Sequence, residues 1–76
     1  MKREKLHVGV IGLGLGRHFV AACDSSSHVE RLVICDPDEQ RRTQILEQFP
    51  SIAAEHDDID AMLSAERLDL SCVVTP

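Results

Sequence analysis

Aromatic residues are scarce in this sequence, and long apolar runs are missing. Among its 76 residues there is no Trp, no Tyr and only two Phe, so the core of a domain this small must be built from aliphatic side chains. No apolar run approaches the roughly 20 residues that cross a membrane. The charged start, Met1 to Lys5, leads straight into a strand-like segment without the apolar stretch of a signal peptide. These absences predict a small cytoplasmic domain with no membrane segment.

Basic residues are also in the minority. Eight Lys and Arg stand against 13 Asp and Glu, which gives a net charge of -5. The basic residues are mostly scattered, and such a surface repels duplex nucleic acid because the phosphate backbone attracts clustered positive charge. The composition therefore excludes nucleic acid as an expected partner.

Residue patterns that bind metals are missing too. The three cysteines stand far apart with no C-x-x-C pair, and the four histidines show no metal-ligand spacing. Each cysteine lies in an apolar stretch, so we interpret all three as core thiols of a reducing compartment: Cys23, Cys35 and Cys72. The acidic group at Asp57, Asp58 and Asp60 is better explained by the start of a helix, with Asp57 or Asp58 as its cap. The sequence predicts no metal site.

Short apolar runs alternate with segments of helical spacing along the chain. The runs predict four strands, at Leu6–Ile11, Val29–Cys35, near Ile52–Ala54 and at Leu70–Val74. Continuous β-branched runs of this kind are typical of parallel strands buried on both faces. The order βαβαβαβ predicts an α/β fold, a parallel sheet of about four strands with three crossover helices.

Each of the three helices is expected to bury one apolar face. The faces are Phe19, Val20 and Cys23; Ile45, Leu46 and Phe49; and Ile59, Met62 and Leu63. In the segment Asp36-Pro37-Asp38-Glu39, Asp36 offers an N-cap and Pro37 the first helical position of the second helix. Three serines after the first helix and Pro50-Ser51 after the second provide the breaks.

A glycine-rich turn joins the first strand to the first helix, from Gly12 to Arg17. Gly12 suits the tight turn, and Gly14 leaves no Cβ in the way of a pyrophosphate. The third glycine of the usual G-x-G-x-x-G fingerprint is replaced by Arg17, and Gly16 comes one residue early. We expect Gly16 to serve close helix packing in a tighter turn and Arg17 to lie near a phosphate or in solvent. The context predicts a dinucleotide site at the start of this helix.

An acidic residue stands where such a site needs one. Asp36 ends the second strand, 24 positions after Gly12, close to the roughly 20 expected for the acid that hydrogen-bonds the adenosine ribose. That acid favours NAD over NADP, since a carboxylate repels a 2′-phosphate, although Arg41 and Arg42 leave NADP open. The alternative role of Asp36 is capping of the second helix alone.

Two other function classes share parts of this pattern. A methyltransferase that binds S-adenosylmethionine has a similar G-x-G-x-G turn, but an acid usually ends its first strand, where this chain has Val10-Ile11. A regulatory nucleotide-sensing module, or a catalytically silent nucleotide-binding unit, has the same strand, turn and acid. Ligand-dependent change of oligomer contacts without turnover distinguishes that class.

Three segments together resemble the N-terminal domain of the glucose-fructose oxidoreductase and inositol dehydrogenase (Gfo/Idh/MocA) family: VGVIGLGLGRHFVAAC, LVICDPDEQRR and HDDIDAMLSAERLDLSCVVTP. The resemblance implies a partial Rossmann fold, with residues 1–76 as the N-terminal portion of an NAD(P)-binding domain. It implies an oxidoreductase acting on a sugar, cyclitol or related hydroxy or keto compound. The cofactor positions it implies are Gly12, Gly14, Gly16, Asp36, Thr75 and Pro76, with the backbone of Leu13, Leu15 and Arg17.

The family's catalytic groups have no counterpart in the sequence. Neither its Glu-Lys-Pro motif nor the His or Lys acid/base of its second domain is matched, so no catalytic residue is assigned. The family's strand order, 3-2-1-4-5-6, makes the fourth strand an exposed edge when the following strands are absent. We therefore expect self-association through Leu70–Val74, or weak folding.

Overall fold

The computed structural model describes residues 5–74, which form one parallel sheet with helices on both faces. The strands are β1 (Leu6–Ile11), β2 (Val29–Cys35), β3 (Ala54–His56) and β4 (Leu70–Val73), and the helices are α1 (Leu13–Ser25), α2 (Glu39–Gln48) and α3 (Ile59–Ala65). The spatial order is β3-β2-β1-β4, and every adjacent pair is parallel. The predicted α/β class and the Rossmann-like arrangement of four strands and three helices are confirmed.

The two later helices begin at aspartates. Asp38 caps α2, since its side chain accepts hydrogen bonds from the N–H groups of Gln40 and Arg41, and Asp58 caps α3 through the N–H of Ala61. The expected capping of α2 by Asp36 is wrong. The helix starts two residues later than that reading requires, because the Asp36 carboxylate faces the turn after β1 instead.

Two strand boundaries differ from the prediction. The third strand is Ala54–His56 and not Ile52–Ala54, because its register with β2 pairs Val33 with Ala54 and Cys35 with His56. Ile52 is buried in the preceding loop instead. The fourth strand ends at Val73, one residue earlier than expected.

The core consists of two aliphatic layers, one on each face of the sheet. The layer under α1 and α2 is the larger and contains Val8, Val10, Leu13, Val20, Leu32, Ile34, Ile45 and Ile52. The layer under α3 contains Ile11, Val33, Cys35 and Met62. Gly9 lets this second layer close, since a Cβ there would lie 2.7 Å from Leu68 Cδ1.

Several apolar residues expected inside lie at the surface. Phe19, Ile59 and Leu63 on the helices, and Leu70 and Val73 on β4, are each about half exposed or more. The expectation that the strands are buried on both faces therefore fails for β4. Within residues 5–74, β4 pairs only with β1, so the outer edge of β4, with Leu70 and Val73 exposed, is an uncovered border of the sheet.

The helices of the described segment are short. The longest, α1, has 13 residues, and no helix within residues 5–74 combines the length and apolarity needed to cross a membrane.

Candidate functional site

The turn between β1 and α1 depends on the backbone of Gly12. This residue has φ 89° and ψ 86°, a left-handed conformation that a side chain disfavours. Its N–H donates to the carbonyl of Cys35 (3.0 Å), which ties the turn to the end of β2, and its carbonyl accepts the first helical hydrogen bond from Gly16 (2.9 Å). Because the N–H groups of Gly14 and Leu15 precede that first bond, they face outward at the positive end of the helix and can receive an anion.

Asp36 lies directly beside this turn and is buried, with 3% of its surface exposed. Its Oδ2 accepts a hydrogen bond from the Leu13 N–H (2.8 Å), and its Oδ1 accepts one from the Asp38 N–H (2.8 Å). The carboxylate therefore joins the end of β2 to the first residue of α1. Each carboxylate oxygen keeps capacity for a further donor, because an ionised carboxylate offers about four lone-pair sites.

Arg42 fixes the backbone of the same loop. Its Nη1 donates to the Asp36 carbonyl (2.7 Å), and its Nε donates to Glu55 Oε1 (2.8 Å). The hydrogen bond with Glu55 raises the pKa of Arg42. Its bonds anchor the loop after β2 to β3.

Arg41 behaves differently from its neighbour. Its Nη1 lies 3.9 Å from Asp36 Oδ2 and its Nε lies 3.8 Å from Asp38 Oδ2, both too long for a hydrogen bond. The guanidinium lies over the glycine turn, since a Cβ on Gly14 would be 3.1 Å from Nη1. More than half of the side chain is exposed, so Arg41 is a weakly held cation at the mouth of the site.

A cleft of about 440 Å³ opens at this edge of the sheet. Gly12 and Gly14 form its backbone floor, Asp36 and Arg41 supply its charges, and Leu15, Pro37 and Val74 give it apolar walls. Its elements follow the carboxyl ends of β1, β2 and β4, at the point where the strand order reverses; open α/β sheets bind ligands there. The cleft suits three kinds of chemical group: its outward N–H groups suit a phosphate, its buried carboxylate suits a sugar diol, and its apolar walls suit a flat ring.

The structure brings some predicted site residues to this cleft and separates others. Leu13 contributes its N–H, while its side chain is buried in the core. Gly16 lies against the sheet, where a Cβ would be 3.1 Å from Val10 Cγ1, which is the packing expected of a tighter turn. Arg17 is exposed and lines an adjacent groove. Thr75 and Pro76 lie outside the described residues.

Sequence reasoning missed two residues that line the cleft, Pro37 and Val74. It considered a third lining residue, Arg41, only for an NADP phosphate. The role of Val74 could have been predicted from the sequence, because it directly follows the strand beside β1. The position of Arg41 over Gly14 could not, because it depends on how α2 packs beside α1.

A family model described as an oxidoreductase family with an NAD-binding Rossmann fold matches residues 6–76. Two crystal structures of apo scyllo-inositol dehydrogenase from Lactobacillus casei, one of them at 77 K, match with a TM-score of 0.82 and 19% sequence identity. The match covers 100% of this chain and spans 23% of the dehydrogenase. At this identity the similarity shows the fold. No curated protein matches the chain.

Proposed function

Since the chain belongs to the Gfo/Idh/MocA oxidoreductase family, with its NAD-binding Rossmann fold, we propose that the cleft beside Asp36 binds the adenosine and phosphate half of NAD. One observation carries the proposal: the buried Asp36 carboxylate lies 2.8 Å from the Leu13 N–H. This contact puts a hydrogen-bond acceptor beside the N–H groups of a helix start. A ribose next to a pyrophosphate needs that combination.

Each wall of the cleft has a part in this proposal. The N–H groups of Gly14 and Leu15 receive the pyrophosphate, and Asp36 accepts hydrogen bonds from the ribose hydroxyls. Pro37 and Val74 flank the adenine. Thr75 and Pro76, which follow Val74 along the chain, remain proposed cofactor residues. The bound dinucleotide supplies the hydride chemistry, and the residues of this chain hold and orient it.

The activity of the whole protein is a broader proposal. We propose that residues 1–76 are the N-terminal portion of the dinucleotide domain of an oxidoreductase whose substrate is a sugar, a cyclitol or a related hydroxy or keto compound. The fold similarity to scyllo-inositol dehydrogenase supports this substrate class. We assign no catalytic residue within these 76 residues.

Two properties of the chain are proposed alongside the function. The uncovered border at β4, with Leu70 and Val73 exposed, supports self-association through this strand, because unpaired strand edges recruit other strands.

Three free cysteines, one buried and two half-buried, support a reducing cytoplasmic location.

Calorimetric titration of the 76-residue chain with NAD, NADP and S-adenosylmethionine tests the proposed function. We expect NAD to bind and Asp36→Asn to weaken it about tenfold, since a charge-assisted hydrogen bond to ribose is lost. The matched control is Asp38→Asn, which keeps a good helix cap and leaves NAD affinity unchanged. Binding of S-adenosylmethionine without NAD would make the chain a methyltransferase segment, and failure of all three ligands with a folded chain would refute the proposal.

A further inference from the structure

The backbone groups on the open edge of β4 can be identified from its pairing with β1. The N–H of Val74 donates to the Ile11 carbonyl of β1 (2.8 Å). Because alternate residues of a strand bond toward the same neighbour, Cys72 also bonds toward β1. The N–H and C=O groups of Ser71 and Val73 therefore point away from β1, where no strand of the segment that the structure describes meets them.

The side chains of β4 divide between the two faces of the sheet. Cys72 pairs with Val10 of the larger core layer, and a Cβ on Gly16 of α1 would lie 3.7 Å from Val74 Cβ. Because alternate side chains of a strand share a face, one apolar row lies on the α1 side of this edge. The row consists of Leu70, Cys72 and Val74.

The residues of this edge do not oppose pairing with another strand. Residues 70–74 include no charged residue and no proline, which are common means of blocking a strand edge. On the same face, Leu15 of α1 lines the cleft together with Val74, and Phe19 follows one helical turn later on the same side. Both helical side chains are about half exposed. The edge therefore continues into an apolar surface.

The opposite edge of the sheet is a poorer partner for β4. β3 has only three residues, and its central residue, Glu55, is exposed and bonded to Arg42 Nε (2.8 Å). A charged residue on an edge disfavours strand pairing. Pairing of β4 with β3 would also leave a free edge at each end, whereas two β4 edges form a closed two-fold pair. The best match for the β4 edge is the β4 edge of a second copy.

A two-fold axis restricts the register of such a pair. The axis that sets two edge strands antiparallel keeps each residue on its own face of the sheet, and residues directly opposite each other share a face. The axis must therefore pass through a residue position. At Cys72 it sets Ser71 opposite Val73 of the second copy, so that the outward backbone groups pair with each other. At Ser71 or Val73 it would set one of them opposite a residue outside β4.

We propose that two copies of the chain form a closed dimer through β4, antiparallel about a two-fold axis at Cys72. The inference rests on the self-association proposed above and gives it a partner strand, a symmetry and a register. The two four-stranded sheets join into one. The two Cys72 residues lie opposite each other without direct hydrogen bonds, where Cα atoms approach to about 4.5 Å. Leu70 of the second copy lies opposite Val74, which lines the cleft.

Oxidative cross-linking of the 76-residue chain tests the register. Diamide takes up the two thiol hydrogens as an S–S bond forms between two Cys72 side chains, a bond that the spacing of opposite residues allows. The test uses Cys23→Ser, which removes the other half-buried thiol and leaves only the buried Cys35 besides Cys72. We expect a covalent dimer whose link mass spectrometry assigns to Cys72, and no covalent dimer when Cys72→Ser is added.

Two substitutions at one outward position test the backbone pairing. Val73→Pro removes an N–H that points away from β1, and proline is tolerated at such a position of an edge strand. We expect this variant to raise the dimer dissociation constant about tenfold, because the dimer loses one hydrogen bond from each copy. Val73→Thr is the matched control, since it keeps the N–H and the β-branched shape, and its dissociation constant should stay close to that of the parent. Sedimentation velocity measures both.

The outcomes separate this inference from the proposals on which it rests. Dimers without a link at Cys72, dimers unaffected by a folded Val73→Pro variant, or assemblies that grow beyond two copies would overturn it while self-association stands. If circular dichroism shows Val73→Pro to be unfolded, the cross-link decides. A chain that stays monomeric at every concentration would refute both the dimer and the self-association. Calorimetric titration of the same samples with NAD tests the proposed cofactor site separately.

Discussion

The Asp36 carboxylate accepts a hydrogen bond from the backbone N–H of Leu13, a residue 23 positions earlier in the chain, at 2.8 Å. The acid proposed to hold the ribose is therefore also a structural contact of the glycine turn. Leu13 lies at the start of α1, where N–H groups have no helical acceptor, and the carboxylate satisfies one of them in a buried position. The fold and the proposed site share this contact.

Removal of that carboxylate should weaken the fold as well as ligand binding. Asp36→Ala leaves the buried N–H of Leu13 without its acceptor, so we expect the free energy of unfolding to fall by about 1–3 kcal/mol. Urea denaturation followed by circular dichroism measures it. Asp36→Asn keeps an acceptor oxygen, so its free energy of unfolding should fall by less. Equal stability of Asp36→Ala and the parent chain would contradict this role.

Substitution by alanine should lower stability at Gly12 and NAD affinity at Gly14. Gly12→Ala places a Cβ on a residue at φ 89° and should lower stability by about 1–2 kcal/mol. Gly14 is helical, exposed and has no positive φ, and its Cβ would meet only the end of the Arg41 side chain. Gly14→Ala should leave stability unchanged, since alanine favours a helix. It should nevertheless weaken NAD binding, because the added methyl group crowds the cleft floor.

Thermal unfolding and NAD titration of both glycine variants make this comparison. Loss of stability in Gly14→Ala, or undiminished NAD affinity in that variant, would argue against a cleft floor at Gly14.

The sequence predicted the central strands better than the edges. β1 and β2 were placed with their observed bounds, because the apolar residues of their second halves, at 8–11 and 32–35, are buried, as is typical of parallel strands covered on both faces. The third strand was displaced by two residues, since Glu55 and His56 are polar and join the sheet through backbone pairing, which leaves no apolar signal. The prediction that Phe19 lies on the buried face of α1 was wrong, because a helical pattern does not say which part of a sheet the helix covers.

The proposed site was accessible to sequence reasoning only in part. Gly12 and Asp36 stand out because backbone conformation and strand position restrict the residue type there. Asp36 was taken as the cap of α2 in place of Asp38, since either aspartate can cap a helix by residue type and spacing. The position of Arg41 at the mouth of the cleft depends on the packing of two helices, a tertiary contact that local sequence does not encode.

Stability should also depend on pH through Glu66, whose side chain is 7% exposed. Arg31 donates to it through Nε (2.8 Å) and a second nitrogen (3.1 Å), and His56 lies 3.4 Å away. The hydrogen bonds from Arg31 are the main cause that lowers the pKa of Glu66 below its usual 4.5. A carboxyl group with a lowered pKa stabilises the fold above its unfolded-state pKa, and this stabilisation is lost as pH falls through the folded-state value.

Glu66→Gln isolates this effect. The variant should be less stable than the parent above pH 4.5 by about 1–2 kcal/mol, and the difference should shrink on further acidification as the parent carboxylate is protonated. Glu47→Gln, at an exposed site on α2, is the control and should follow the parent at every pH. Urea denaturation across a pH series provides the data, and a difference that grows toward low pH would be incompatible with the Arg31 contact.

The border at β4 should make the chain associate with itself. Leu70 is 50% and Val73 62% exposed, and within residues 5–74 the outer edge of β4 has no partner strand. Val73→Lys places a charge on this edge, which disfavours strand pairing, so it should shift the chain toward monomer. Light scattering during size-exclusion chromatography, over a range of concentrations, measures the shift. Leu63→Lys removes an exposed leucine of similar exposure from α3, so association lost equally in both variants would mean general apolar adhesion and not pairing through β4.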